Sequence, residues 1–306
     1  MFSVRLGYAC INVTLGPRAR TSRTCRISNA TPHRLEDLAR ANLVGLAEVL
    51  RWNIAHNIKV FRISSGIIPL ASHPLTQWPW KGRLSREISS IGDYAKEHNL
   101  RLSMHPGQYT VLNSPKKEVL AASNAELSYH AELLDEMGLN SEHKVILHVG
   151  GVYGDREAAL RRFRNNFRML PRIVRNRLAI ENDERSYNVD SVLNLCNLLD
   201  MPMVFDYLHY KAYNNSPLRT NLLDQIYSTW TARDGRPELH YSTQRRRARK
   251  GAHADTIDTR DFMRFLKILS DHDIDVMLEA KAKDAALIRL RSELRSRWSP
   301  TDVIIE

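Results

Sequence analysis

Eight short runs rich in apolar and β-branched residues, separated by longer segments of helical periodicity, constrain this chain more than any other feature. In order they are FSVRLGYA (2–9), KVFRIS (59–64), LRLSMHP (100–106) and KVILHVGG (144–151), then RLAIEND (177–183), MPMVFDY (201–207), ELHYS (238–242) and DVMLEA (275–280). Between the first two, RLEDLARANLVGLAEVLRWNIAHN places Leu35, Leu38, Leu43, Leu46 and Leu50 at three- to five-residue steps, the spacing of one helix face. SREISSIGDYAKEHN and NAELSYHAELLDEMG behave alike, with Gly138 where a helix C-terminus is expected, and DTRDFMRFLKILSDH supplies the last crossover. Strands alternating with helices predict a parallel sheet, and eight is the number that closes a (β/α)₈ TIM barrel. A doubly wound open sheet competes, but it calls for a glycine-rich phosphate loop after the first strand. CINVTLGPRARTSR is not one, so no nucleotide cofactor is expected.

At 306 residues, with 43% hydrophobic residues, the chain can bury the core of one large α/β domain. It has no repeat and no convincing linker, so a single domain over 1–306 is expected, with residues from about 290 to 306 a helix and extension or a loose tail. MFSVRLGYACINV lacks the pattern of a signal peptide, and no apolar run approaches the roughly 20 residues a bilayer span needs. Cys10, Cys25 and Cys196 form no CxxC spacing and no even-numbered disulfide framework. These features predict a soluble, cytoplasmic chain with no membrane partner; a monomer is expected.

Formal charge is +11, from 45 Lys+Arg against 34 Asp+Glu. A surface this basic either attracts polyanions or is simply basic. RRFRNNFR (161–168) and QRRRARKG (244–251) tilt the choice toward nucleic acid.

Polar residues gather where the strands end, which in a barrel is the active-site face. His105, His148 and Glu181 end the third, fourth and fifth runs, and Asp206 ends the sixth, with His209 just beyond. Glu238 and His240 lie in the seventh and Glu279 ends the eighth; His253 follows in the loop KGAHADT. One such histidine is usually a satisfied core or loop residue. Imidazoles and carboxylates converging on one barrel mouth, however, would repel or stay unsatisfied without a cation to share. Nitrogen and oxygen donors without thiolates suit Zn²⁺ or Mn²⁺ better than Ca²⁺, and this many donors exceeds one ion's needs, so two or three divalent ions are expected. Clustered ions of this kind stabilise the attacking and leaving oxygens of an in-line displacement at phosphorus.

RLGYAC, FRISS, HPGQY, ILHVGG, IENDE, FDYLHY and LEAKAKD, in this order from about residue 2 to about residue 285, resemble the UV damage endonucleases. These are metal-dependent repair enzymes related to the endonuclease-IV-type apurinic endonucleases and, more distantly, to xylose isomerase barrels. The resemblance implies a barrel holding up to three ions, usually Mn²⁺ with Zn²⁺ or Mg²⁺ as alternatives. It implies nicking of damaged double-stranded DNA immediately 5′ to a photoproduct, leaving a 3′-hydroxyl and a 5′-phosphate. His105, His148 and Glu181 resemble the ligands of one ion; Glu181, Asp206, His240 and Glu279 those of a second; His209 and His253, with Asp206 close by, those of a third. Glu238 stands where many members carry a lysine that is carboxylate-modified in some, so it is expected to supply that carboxylate directly. His73 matches a family position near the phosphate, so Glu181, His240, Glu238 and His73 are the residues expected at the reaction. Gln108 and Tyr109 resemble the wedge that probes the duplex, and Tyr8 and Asn12 its partners in handling the flipped lesion. Arg245, Arg246 and Arg247 are the expected backbone contacts. An apurinic-site endonuclease without photoproduct specificity, a metal-dependent sugar isomerase and a non-catalytic DNA-binding protein are the alternatives. The basic surface argues against the isomerase.

Overall fold

A computed structural model describes residues 2–76, 78–213, 217–269, 271–297 and 303–306. Its strands are β1 (Phe2–Ala9), β2 (Val60–Ile63), β3 (Arg101–Met104), β4 (Val145–His148), β5 (Leu178–Glu181), β6 (Met203–Asp206), β7 (Glu238–Tyr241), β8 (Ile274–Leu278) and β9 (Val303–Ile305). Neighbours pair in parallel from β1 through β8, and β8 pairs back with β1 from Val4↔Ile274 to Tyr8↔Leu278, closing the barrel. All eight apolar runs became barrel strands. β9, which the sequence pattern did not reveal, pairs with Phe2–Val4 at the start of β1, below the point where β2 takes over at Gly7.

The helices that cover the barrel begin with α1 (Pro32–Ala55), α2 (Trp80–Glu97), α3 (Lys117–Glu136), α4 (Arg156–Met169) and α5 (Arg172–Arg177). The remainder are α6 (Val189–Leu199), α7 (Tyr207–Tyr213), α8 (Leu222–Tyr227), α9 (Thr259–Leu266) and α10 (Lys283–Arg297). Thr31 caps α1 by accepting from the Arg34 N–H, with Pro32 opening the helix, a pairing that satisfies one end N–H and presets the first φ. Leu35, Leu43, Leu46 and Leu50 of α1 are buried in the main core, each contributing about 2 kcal/mol of burial, while Val44 on the opposite side faces solvent. Gly138, just past α3, has φ +66° and donates to the Asp135 carbonyl, the left-handed stop that glycine allows at least cost. From about residue 290, the region expected as an extension or tail, α10 continues to Arg297 and β9 docks on β1; residues 298–302 lie outside the described residues.

Because strand side chains alternate, one parity of each strand lines the barrel interior in layers. At the bottom an ionic plug joins Arg5 and Arg101 to Asp275 (2.6 and 2.7 Å) and the fully buried Lys144 to Asp234 (2.6 Å). Above it Ile146, Ala179, Val204 and Trp230 pack as a small apolar cluster. The top layer is polar, and it holds the site.

Candidate metal centre

Glu181, the last residue of β5 and almost fully buried, is the hub. His240 Nδ1 lies 2.8 Å from its Oε1 and His105 Nε2 3.0 Å from its Oε2; His148 Nε2 is 3.5 Å and His209 Nδ1 3.6 Å away. Four imidazoles thus crowd one carboxylate. Burial alone would raise its pKa, yet the facing His240 and His148 hold Glu181 well below the ordinary carboxylate range.

The ending FDYLHY has a local cause. Asp206 closes β6 and its Oδ1 accepts the backbone N–H of His209 at 2.6 Å, the Asp-to-third-residue bond of a helix cap. Capping therefore brings His209 back over the strand end, with Nδ1 3.7 Å from Asp206 Oδ2. That second oxygen is buried with no hydrogen-bond partner, as is His148 Nδ1. Burial lifts the Asp206 carboxyl to about 6. His209 is opposed by its own burial but drawn up to about 9 by Asp206 and Glu181.

Three donor groups emerge, each with ligand atoms within 4.8 Å of one another: His105, His148 and Glu181; Glu181, Asp206 and His209; and Asp206, His240 and Glu279. The first has the three members expected for one ion, the third has three of the four expected for a second and lacks Glu181, and His209 joins Glu181 and Asp206. His253 belongs to no such group. It sits on the hairpin-like loop between β7 and α9, bridged to Gln244, with Nδ1 3.6 Å from Glu279 Oε2. Unpaired buried carboxylate and imidazole atoms in one mixed oxygen–nitrogen cluster fit divalent cations, whose charge would replace the protons that His209 and His240 now carry. His240, against its burial, is pushed up to about 10 by Glu181 and Glu279.

Arg62, which the sequence reading missed, occupies the same layer from β2. Its guanidinium pairs with Glu279 and reaches His240 Nε2 at 2.7 Å. A charge inside VFRI, the apolar centre of KVFRIS, was the available signal. Asn182 was also missed; its side chain donates to the Asp206 carbonyl and accepts the Asp206 N–H (3.0 and 2.9 Å), pinning β5 to β6 where both ligand-bearing residues stand.

Several expected residues sit elsewhere than expected. Glu238 lies one layer below the donor groups and is in none of them; its Oε1 is 3.5 Å from His240 Nε2, on the far side of the imidazole from Glu181. Because β7 alternates, a glutamate two residues before His240 points inward but deeper. Tyr8 and Asn12 do not reach the mouth surface. Tyr8 shares the outward parity of Val4 and Leu6, and its hydroxyl donates to Asn53 of α1 (2.7 Å) and accepts from Asn12 (2.9 Å), both residues being buried. His73 lines a cleft of about 490 Å³ beside Tyr109, on the loop after β2. The three arginines diverge: Arg245 faces the centre, Arg246 faces a groove beside Arg289 and Arg297 of α10, and Arg247 is exposed at φ +55°.

Gln108 and Tyr109 sit at the tip of a turn closed by Gly107 O and Thr110 N (2.9 Å), and Tyr109 is 82% exposed. The neighbouring β4–α4 loop is tied to the same segment, as Asn113 Nδ2 donates to the Gly151 carbonyl (2.8 Å) and Arg162 to the Asn113 carbonyl (2.8 Å). Gly150, at φ +107°, lets the loops approach: a Cβ there would stand 2.5 Å from Asn113 Oδ1.

The family model of UV-endonuclease UvdE matches residues 4–304. This chain belongs to the UvdE family of UV endonucleases. The UV DNA damage endonuclease of Clostridium perfringens is 37% identical over 294 residues, covering 95% of this chain and 71% of that protein. Among solved structures, SacUVDE superposes with a TM-score of 0.89 at 39% identity over 96% of this chain and 98% of its own. Endonuclease IV from Thermus thermophilus shares the fold alone, at 18% identity and TM-score 0.58, over 95% of this chain and 99% of its own. A UvdE-family DNA endonuclease built on a closed (β/α)₈ barrel is therefore the identity of the chain, and no helix among the described residues is long and apolar enough to cross a membrane.

Proposed function

We propose that this UvdE-family endonuclease nicks damaged duplex DNA immediately 5′ to cyclobutane dimers and 6-4 products, leaving a 3′-hydroxyl and a 5′-phosphate. The observation that carries the reading is the convergence of Glu181, Asp206, Glu279 and the imidazoles of His105, His148, His209 and His240 at the mouth of a barrel in this family. Two or three divalent ions held there, Mn²⁺ first among them, would supply an activated water and neutralise charge developing on the phosphate oxygens. Glu181 is placed between donor groups and suits a bridging role. Asp206 presents one free oxygen to the centre because its other oxygen caps α7, which fixes its direction. No side chain is needed as a covalent nucleophile.

Specificity would come from deformation. Damaged steps are less costly to kink and unstack, and an exposed aromatic tip at Tyr109 can occupy the space of displaced bases. Gln108 shares that tip. Apurinic sites present a similar gap and are a second substrate class for the same centre. The enzyme would act as a monomeric, single-domain cytoplasmic protein on DNA.

A Mn²⁺-dependent nicking assay on one labelled duplex, undamaged, with one cyclobutane dimer or with one apurinic site, tests the reading. Cleavage directly 5′ to the dimer, lost on chelation and in Glu181→Gln, is expected. Cleavage confined to the apurinic site would overturn the photoproduct assignment while leaving the metal centre standing.

A further inference from the structure

Beside the metal centre, on the β8–β1 side of the mouth, a cleft of about 570 Å³ is walled by Arg245 and Arg249 of the β7–α9 loop and by Lys281 and Lys283 after β8. Its floor is Arg62, and Glu279 and His253 form the edge shared with the donor groups. Among the described residues none of the four outer cations pairs with a carboxylate, and Glu279, already engaged by Arg62, is the one acidic lining residue. Five positive side chains converge there against a single negative one.

A second observation points the same way. Arg62 is 5% exposed, and although its terminal nitrogens are taken by Glu279 and His240, its Nε–H is buried without an acceptor. A buried donor left unmet costs about 1–3 kcal/mol, and Arg62 itself is a lining residue of the cleft. Water could meet one such N–H; it would not explain four unpaired cations gathered over it. Like charges held together in a concave site repel, and a polyanion is what relieves them.

We propose that this cleft is a phosphate subsite, separate from the donor groups, that grips the backbone phosphate next to the one being cut. The inference rests on the endonuclease reading and deepens it. Tyr109 and its cleft lie over β2 and β3, whereas this cleft lies over β8 and β1. β8, β1, β2 and β3 are neighbours round the barrel, so a strand entering the metal centre is then held at two points of the rim, by an aromatic wedge and by a cationic grip. Phosphate contacts set register without reading bases, which is what a lesion-directed enzyme needs to place one linkage over its metals.

The test is a charge-neutral backbone scan. Wild type and the Lys281→Gln/Lys283→Gln double variant are titrated with dimer-containing duplexes that each carry one methylphosphonate at a successive position near the cut. For wild type, neutralising one linkage adjacent to the scissile one should weaken binding about tenfold and lower the salt slope by about one. The double variant should bind the unmodified duplex as weakly as wild type binds that neutralised one, show no further loss there, and keep wild-type Mn²⁺ stoichiometry and melting temperature. Unchanged affinity and salt slope in the double variant, or losses that simply add at every position, would overturn the subsite. A second arm stands apart from the nuclease reading. Inorganic phosphate should raise the melting temperature of the metal-loaded wild type more than that of the equally loaded double variant; an equal rise would count against the cleft. Wild type that ignores dimers yet shows the phosphate difference would remove the substrate assignment and keep the subsite.

Discussion

Glu238 is buried to within 1% of full exclusion, and neither carboxylate oxygen has a hydrogen-bond partner. Its nearest imidazole nitrogen, His240 Nε2 at 3.5 Å, is held instead by Arg62 at 2.7 Å. In the metal-free protein Glu238 is therefore a cost: an unmet buried polar group costs about 1–3 kcal/mol, and more when charged. Glu238→Met keeps the length and removes both unmet oxygens, so it should stabilise the metal-free chain by about 1–3 kcal/mol. At about 2.1 cal/mol/K per residue over 306 residues, the unfolding entropy is about 0.6 kcal/mol/K, and the melting temperature should rise by about 2–5 °C. With metal the sign reverses. His240 Nδ1 faces Glu181 and Glu279, so a ligating His240 carries its proton on Nε2; the Arg62 N–H that points there must then turn away, and Glu238, 3.5 Å off, is the carboxylate left to accept that proton. Removing such an outer partner typically lowers metal affinity 10- to 100-fold. Thermal unfolding followed by circular dichroism in EDTA, paired with calorimetric Mn²⁺ titration, reads both effects. A lower melting temperature in EDTA would mean the carboxylate is satisfied in the fold, and an unaltered Mn²⁺ affinity would mean it does not support His240.

Other outcomes follow from the same geometry. Glu181→Gln should lower Mn²⁺ stoichiometry and reduce nicking on the order of a thousandfold, because the hub of two donor groups is lost; metal analysis and single-turnover cleavage check it. Tyr109→Ala should leave the melting temperature unchanged, since the ring is 82% exposed, while binding to dimer-containing duplex weakens by about 1–3 kcal/mol in a fluorescence-anisotropy titration. His143, far below the mouth, is held down to about 3 by burial and then by Arg101 and Arg177. It stays neutral in the fold while the unfolded chain takes up a proton below about 6.5, so stability should fall with decreasing pH between those values, by about 1.4 kcal/mol per pH unit from this residue. In denaturant titrations from pH 7 to pH 4, His143→Gln should flatten that dependence; an equally steep fall would exclude His143 as its source.

The barrel was legible in the chain because each strand is apolar enough to be buried, and crossovers such as α1 and α3 carry a 3.6-residue periodicity, although among the described residues the β6–β7 connection holds only the short α-helices α7 and α8. The donor residues were legible for the same reason: a charge or an imidazole at the end of an apolar run, as in ILHV or VFDYLH, has no place in a core unless something shares it. Position along the strand was thus a property of the sequence. Direction was not. Whether Tyr8 meets DNA or α1, and whether Glu238 reaches the ions or only the back of His240, depends on which parity of a strand faces inward and how deep it lies. That is settled when the strands tilt and close into the barrel. Arg62 joins the centre through closure, since β2 and β7 are remote in the chain and meet only across the interior. The pairing of β9 with β1 likewise joins residues some 300 positions apart. Side-chain chemistry was written locally, and the partners of each side chain were chosen by the closed sheet.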